Sequence, residues 1–191
     1  MEQQIPGLTY ESDAISEDME TQLIDFLKTI EYDSVLYRKT KSYGYRYVYA
    51  RASRDVNREN VNRENVNREN NIEQIPEILS TLNEGHNQCI INVYEPGEGI
   101  GAHIDDTRQF GDTVIIYSLG SDIEMEFSPK FRTDKVVRII LKRRSKITLT
   151  DDARYNWTHC IKKRKSDNGI KRGIRYSVTF RSVKLRNSND D

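Results

Sequence analysis

The sequence predicts a mainly β (α+β) fold, an antiparallel sandwich or barrel braced by helices near its N-terminus. One amphipathic helical repeat comes early in the chain, and nearly every later patterned segment is a short β-branched run. Turn residues such as Pro96-Gly97, Gly120-Ser121 and Asn168-Gly169 separate those runs. The 191 residues suffice for one ordinary domain and would be cramped for two. Helices first and many strands afterwards favour a sheet-based core with helices on one side.

Ser16 to Ile30 reads as the first helix. Ser16 can cap it, Glu17 and Asp18 suit its positive first turn, and Met19, Leu23, Leu27 and Ile30 recur at helical spacing. Tyr43, Tyr45, Tyr47 and Tyr49 then alternate with Gly44, Arg46 and Val48, so an extended chain places the four rings on one face. That face is either a half-buried packing surface or a stacking surface for bases, with Tyr43, Tyr45 and Arg46 as substrate candidates. VNREN follows at Val56–Asn60, Val61–Asn65 and Val66–Asn70, a repeat too short and polar to stack a core, which reads as a flexible insertion. A second helix begins near Pro76 and passes Leu79 and Leu82. The strand candidates are Cys89–Tyr94, Thr113–Leu119, Asp122–Phe127, Val136–Lys142, Lys146–Thr150, Trp157–Ile161 and Arg175–Val183. Asp151–Tyr155 reads as a turn.

Composition removes several classes. No apolar run approaches the roughly 20 residues that span a bilayer, and Met1–Tyr10 lacks the basic start and apolar stretch of a secretory signal. Cys89 and Cys160 are too few for a disulfide scaffold, so the expected setting is intracellular, cytoplasmic or nuclear, and not secreted. The net charge of zero hides an asymmetry: residues 128–188 hold 19 Lys and Arg against 4 Asp and no Glu. Such a half suits phosphates, with Arg143-Arg144 and Lys162–Lys165 as candidate contacts.

His103-Ile104-Asp105 is the first chemical signal. Two residues apart in extended chain, His103 and Asp105 point the same way and can share a metal. With three histidines in the chain, the third ligand is nearly forced. His86 lies in a polar stretch expected at the surface, whereas His159 falls in the strand Trp157–Ile161. Two imidazoles and a carboxylate form the facial triad of non-haem Fe(II) oxygenases and leave room for a 2-oxo acid and dioxygen. Zinc hydrolases use the same ligand types. Whether anything awaits a dicarboxylate cosubstrate separates the two readings.

The last strand supplies such a group. Arg175, Ser177, Thr179 and Arg181 share one face, with Tyr176, Val178 and Phe180 on the other. Polar residues inside a barrel are costly unless they meet a charged ligand or water. An arginine fork can take the distal carboxylate of 2-oxoglutarate through parallel hydrogen bonds.

These residues resemble the AlkB family of Fe(II)/2-oxoglutarate-dependent dioxygenases over roughly residues 43–54 and 72–183. The carriers are Asn92-Val93-Tyr94, Pro96-Gly97, His103-Ile104-Asp105, Ser118-Leu119-Gly120, Tyr155-Asn156-Trp157-Thr158-His159 and Arg175 with Arg181. The resemblance implies a double-stranded β-helix (jelly-roll) barrel using Fe(II), 2-oxoglutarate and O2. It implies that Asn92 and Tyr94 reach the 2-oxoglutarate, with Arg175 on its distal carboxylate, Arg181 near the carboxylate by the metal, and Ser177 on the same wall. It further implies one domain: a helix and nucleotide-lid region over 1–54, the VNREN insertion over 55–71, and a catalytic core over about 72–185.

Within the family, Tyr94–Ile100 and Arg154–His159 are most similar to the branch that hydroxylates a modified wobble uridine in tRNA. The chain departs from that branch in being too short for the RNA-recognition and methyltransferase domains of the animal members. It also carries Thr107, a substrate candidate, where relatives place other polar residues facing the base. The expected function is oxidation of a C–H bond on a nucleic-acid base, by N-alkyl demethylation or modified-uridine hydroxylation. RNA is favoured over DNA, the chain is expected to be a monomer, and no membrane is involved. The rival readings are a hydroxylase of a protein or small molecule on the same fold, and a non-catalytic polyanion-binding module.

Overall fold

The computed structural model describes residues 5–33, 38–45, 73–131 and 135–184. Arg46, Tyr47, Tyr49 and the VNREN repeats lie outside the described residues. In chain order the elements are β1 (Leu8–Glu11), α1 (Glu17–Thr29), β2 (Thr40–Gly44), α2 (Glu77–Ser80), β3 (Gln88–Tyr94) and β4 (Ile100–His103). They continue with β5 (Phe110–Leu119), β6 (Ile123–Pro129), β7 (Val137–Leu141), β8 (Ser145–Leu149) and α3 (Asp151–Tyr155). The last are β9 (Trp157–Ile161), the short hairpin β10 (Ser166–Asp167) and β11 (Ile170–Lys171), and β12 (Arg175–Val183).

Two antiparallel sheets face each other. The larger has the order β1-β8-β5-β12-β3-β2 and the smaller β4-β9-β6-β7. Strands β3 and β4, like β5 and β6, are consecutive in sequence but lie in opposite sheets. That crossing is the connectivity of a double-stranded β-helix.

Alternation along the larger sheet builds two cores. Cys89, Ile91 and Val93 of β3, Ile115, Tyr117 and Leu119 of β5, and Tyr176, Val178 and Phe180 of β12 pack against Leu23 and Leu27 of α1. On the opposite face, Val114, Ile116, Ile147 and Leu149 meet Ile123, Met125, Phe127, Trp157 and Ile161 of the smaller sheet. Both faces of β3 and β12 are therefore buried. The inward stripe Arg175, Ser177, Thr179 and Arg181 sits inside the barrel, with each of the four under one-tenth exposed.

Helix α1 starts as its sequence predicts, with Ser16 Oγ accepting from the Met19 N–H at 3.1 Å. Glu20 on its first turns is 1% exposed. It accepts from the Gly120 N–H at 2.9 Å and from Arg143 Nε at 2.9 Å, tying the helix to the Ser118-Leu119-Gly120 turn. Gly120 has φ of 85°, a left-handed value that glycine adopts without strain.

Several elements differ from expectation: β1, β10 and β11 are not among the strand candidates, and α2 ends at Ser80, short of Leu82. Asp151–Tyr155 is a helical turn, α3, rather than an open turn. Strand β4 is not among the strand candidates, because it is four residues long, has Ile100 as its one β-branched residue and contains Gly101. Strand β2 begins at Thr40 and ends at Gly44, whose φ is +74° and whose added Cβ would lie 2.0 Å from the Asn87 carbonyl oxygen.

Folding also cancels much of the charge asymmetry. Arg143 pairs with Glu20, Arg144 with Asp13, Lys146 with Glu11 and Glu84, Lys162 with Glu126, and Arg164 with Glu124 and Asp167. The expectation that Arg143-Arg144 and Lys162–Lys165 hold phosphates is corrected for Arg143, Arg144, Lys162 and Arg164, whose charges are met within the chain. Among the described residues no helix is long and apolar enough to cross a membrane. Cys89 and Cys160 are free and buried.

Candidate metal centre and cosubstrate pocket

Strands β4 and β9 pair antiparallel with His103 opposite His159. The two rings stand 4.4 Å apart between centroids, tilted by 54°. Asp105 follows two residues after His103. Each of the three offers one ligand atom, and all these atoms lie within 4.8 Å of one another.

The protonation states suit a cation. His103 Nδ1 lies 2.8 Å from the Gly101 carbonyl, which can only accept, so Nδ1 carries the proton and Nε2 keeps its lone pair. Burial, reinforced by His103 alongside, pushes His159 down to about 4, so its imidazole is neutral at physiological pH. Burial works against charge on Asp105, but Arg181, the two histidines and Arg154 outweigh it and hold the carboxyl below its ordinary range. Arg181 Nη1 donates to Asp105 Oδ1 at 3.0 Å, and Arg181 Nε donates to Gln88 Oε1 at 2.9 Å. The His103 and His159 ring nitrogens and one carboxylate oxygen fit a divalent transition metal bound on one face.

Arg175 provides the test for the dicarboxylate. Its side chain is 1% exposed, and its Nε donates to Ser118 Oγ at 2.8 Å. Its Nη1 and Nη2 are buried with no hydrogen-bond partner among the described residues. Burial pulls the guanidinium down to about 10, which still leaves it charged at neutral pH. A buried cation with idle donors costs several kcal/mol unless a carboxylate meets it. The Tyr94 ring lies 5.3 Å from the guanidinium carbon. Across the ladders, Arg175 is opposite Tyr94, Ser177 is flanked by Asn92 and Ser118, and Arg181 is opposite Gln88. The five residues expected around 2-oxoglutarate thus line one wall of the barrel.

Sequence reasoning missed two contributors. Arg154, on α3, is 2% exposed and donates to backbone carbonyls only: Asp105 at 2.9 Å, Gly111 at 3.0 Å, and Asp106 and Phe110 at 3.4 Å. It pins both ends of the segment that carries Asp105. Its position three residues before β9 was the available signal. Arg38 Nε donates to Asn92 Oδ1 at 2.9 Å, so a second guanidinium approaches the cosubstrate wall.

The substrate candidates fare differently. Thr107 lies in the segment after Asp105, and its carbonyl accepts from Lys184 Nζ at 3.2 Å. Tyr45 is half-buried just past β2. Tyr43 is corrected to a core residue: it is 5% exposed and packs with Cys89 and α1 on the face turned away from the barrel interior. Its hydroxyl is pushed up to about 12 by burial, then by Glu73 and Cys89. Arg46 lies outside the described residues. His86, expected at the surface, is half-buried, with its Nδ1 on the Asn83 carbonyl at 2.9 Å.

This barrel and donor set define a non-haem metal oxygenase, and the comparisons agree. The chain belongs to the 2OG-Fe(II) oxygenase superfamily, whose family model matches residues 11–181. It is thereby a member of an enzyme class that uses Fe(II), 2-oxoglutarate and O2. More particularly, it is similar to mouse tRNA (carboxymethyluridine(34)-5-O)-methyltransferase ALKBH8, at 33% identity over 216 residues, covering 94% of this chain and 31% of the mouse protein. The chain thus spans about a third of that relative's length. The structure of OsALKBH1 shares the fold, with a TM-score of 0.66, 16% identity, and coverage of 93% of this chain and 98% of that one. A 2OG-Fe(II) oxygenase-family oxidoreductase from Burkholderia pseudomallei superposes with a TM-score of 0.60 at 13% identity, covering 92% of this chain and 84% of that one.

Proposed function

We propose that this chain is an AlkB-like dioxygenase that oxidises a C–H bond on a nucleic-acid base, with RNA as the preferred substrate. His103, Asp105 and His159 would carry Fe(II), and Arg175, with Asn92, Tyr94, Ser177 and Arg181, would hold 2-oxoglutarate. The observation that carries the reading is Arg175, a charged fork kept dry within the same barrel as the triad, with two donors awaiting acceptors. The RNA assignment draws on the mouse relative, whose name states a tRNA uridine as its substrate. Such a substrate would place the chain inside the cell.

When bound, Fe(II) with 2-oxoglutarate and O2 couples loss of CO2 from the keto acid, leaving succinate, to oxidation of a nearby C–H bond. The protein's own residues set the conditions. Ser118 orients the Arg175 fork, which fixes the far carboxylate and so the direction of the keto acid. Arg181 holds Asp105 ionised, the neutral His159 ring keeps its lone pair available, and the Gly101 carbonyl on Nδ1 aims His103 Nε2 at the same point. The apolar wall of Val114, Ile116 and Phe127 excludes bulk water from the interior. A base inside a duplex must be flipped out to reach this site, which favours single-stranded or unpaired nucleotides. If the carbon is an N-methyl group, the hydroxylated product releases formaldehyde. If it is a methylene on a uridine side chain, the alcohol persists.

The test is nucleoside mass spectrometry of tRNA, and of methylated RNA and DNA oligonucleotides, after incubation with protein, Fe(II), 2-oxoglutarate and O2. A mass gain of one oxygen, or loss of a methyl group, on one nucleoside supports the reading. Succinate formation with no change in any nucleoside overturns the substrate class.

A further inference from the structure

Most cations of the basic half are used within the fold, but two at the metal end are not. Lys130 and Lys135 have no carboxylate partner among the described residues. Instead, Lys130 Nζ lies 5.4 Å from the ring centroid of Phe131, and Lys135 Nζ lies 5.5 Å from that of Trp157. Phe131 itself is 87% exposed.

Strand register places this turn. Phe127 is opposite His159 and Pro129 opposite Trp157, and the Lys130 N–H donates to the Asn156 carbonyl at 2.7 Å. Phe131 therefore projects past the end of β6 that is level with the beginning of β9. One strand spacing across and four residues along put it within about 15 Å of His159. Asp105 leaves β4 towards the same end, because His103 is opposite His159 and Ile100 opposite Ile161. The other exposed large apolar residues, Ile170 and Ile174, follow β9 beyond Ile161, at the other end of that strand.

A lone exposed apolar side chain needs no explanation. An exposed aromatic ring with Lys130 against it, and Lys135 over the neighbouring Trp157, neither lysine with a carboxylate partner among the described residues, at the metal end of the barrel, is a different object. Rings accept any base face, and lysines meet the flanking phosphates. We propose that Phe131, with Lys130 and Lys135, grips a nucleotide neighbouring the one that reacts, with Phe131 stacked on its base and the two lysines on its phosphates. The proposal rests on the nucleic-acid reading above and assigns that substrate a second contact outside the barrel.

The experiment is fluorescence anisotropy of a labelled oligouridylate of about 12 nucleotides, titrated at several salt concentrations. Wild-type protein is expected to bind with an affinity that falls as salt rises. Phe131→Ala should weaken binding about tenfold at fixed salt with little change in the salt slope, and Phe131→Trp should restore it. The double variant Lys130→Gln with Lys135→Gln should flatten the log–log salt slope by about 1.4, or about 0.7 per phosphate contact on a single strand. Equal binding by wild type and Phe131→Ala overturns the stacking contact and leaves the nucleic-acid reading standing. Absence of salt-dependent binding by wild-type protein overturns both. The exposed side chain supports no core, so a folding defect does not stand between variant and readout.

Discussion

His103 and His159 face each other directly across the β4–β9 ladder, with ring centroids 4.4 Å apart. Paired imidazoles this close repel one another once protonated, and burial adds to that penalty at His159. Burial keeps the His159 ring neutral, the state in which it offers a lone pair to a cation.

Arg175 yields a prediction of opposite signs. Replacing it with Met removes a buried charge whose outer nitrogens have no partner, so the protein without ligand should be as stable as wild type or more so. Its response to 2-oxoglutarate should disappear. Two charge-assisted hydrogen bonds contribute roughly 1.5–3 kcal/mol each, so the apparent KM for 2-oxoglutarate should rise at least about a hundredfold. Thermal unfolding with and without 2-oxoglutarate, together with succinate kinetics, checks both halves.

Arg154 acts through the backbone of the segment that carries Asp105. Arg154→Met leaves the Asp105 and Gly111 carbonyls without their donor and should cost about 3 kcal/mol of stability. Arg154→Lys can satisfy only part of the set and should fall between. Because the loop bearing Asp105 loosens, Mn(II) affinity measured by electron paramagnetic resonance should drop about 10–100-fold in the Lys variant. A Lys variant with wild-type metal affinity would reduce Arg154 to a structural role.

Asp167 sets a pH dependence. Burial alone would raise its pKa, but hydrogen bonds from Arg172, the Glu124 N–H and Arg164 bring it down to about 2. A carboxyl depressed from about 3.9 in the unfolded chain contributes stability in full above that value. The contribution, about 2 kcal/mol, is lost as pH falls from about 4 to about 2. Asp167→Asn should remove it at neutral pH and flatten the stability profile across that window, as read by urea unfolding at several pH values.

Much of the site was legible because its chemistry is local. His103 and Asp105 are neighbours in extended chain, His159 follows from the scarcity of histidine, and the polar stripe of β12 declares itself by alternation. What stayed hidden depends on partners distant in sequence. Alternation groups Tyr43 with Tyr45 but cannot say which face of β2 looks into the barrel, because β2 packs against a buried strand. The basic surplus looked like a phosphate surface until Glu20, Asp13 and Glu126 came to meet it. Arg154 bonds only to carbonyls, which leave no mark in a sequence.

The most direct measurement is succinate release from 2-oxoglutarate by purified protein supplied with Fe(II) and O2, wild type beside His103→Ala. The wild type should turn over only with iron present, and the variant should be slower by about a hundredfold or more, since even outer-shell losses cost 10–100-fold. Undiminished, iron-dependent turnover by His103→Ala would contradict the assignment of the metal centre.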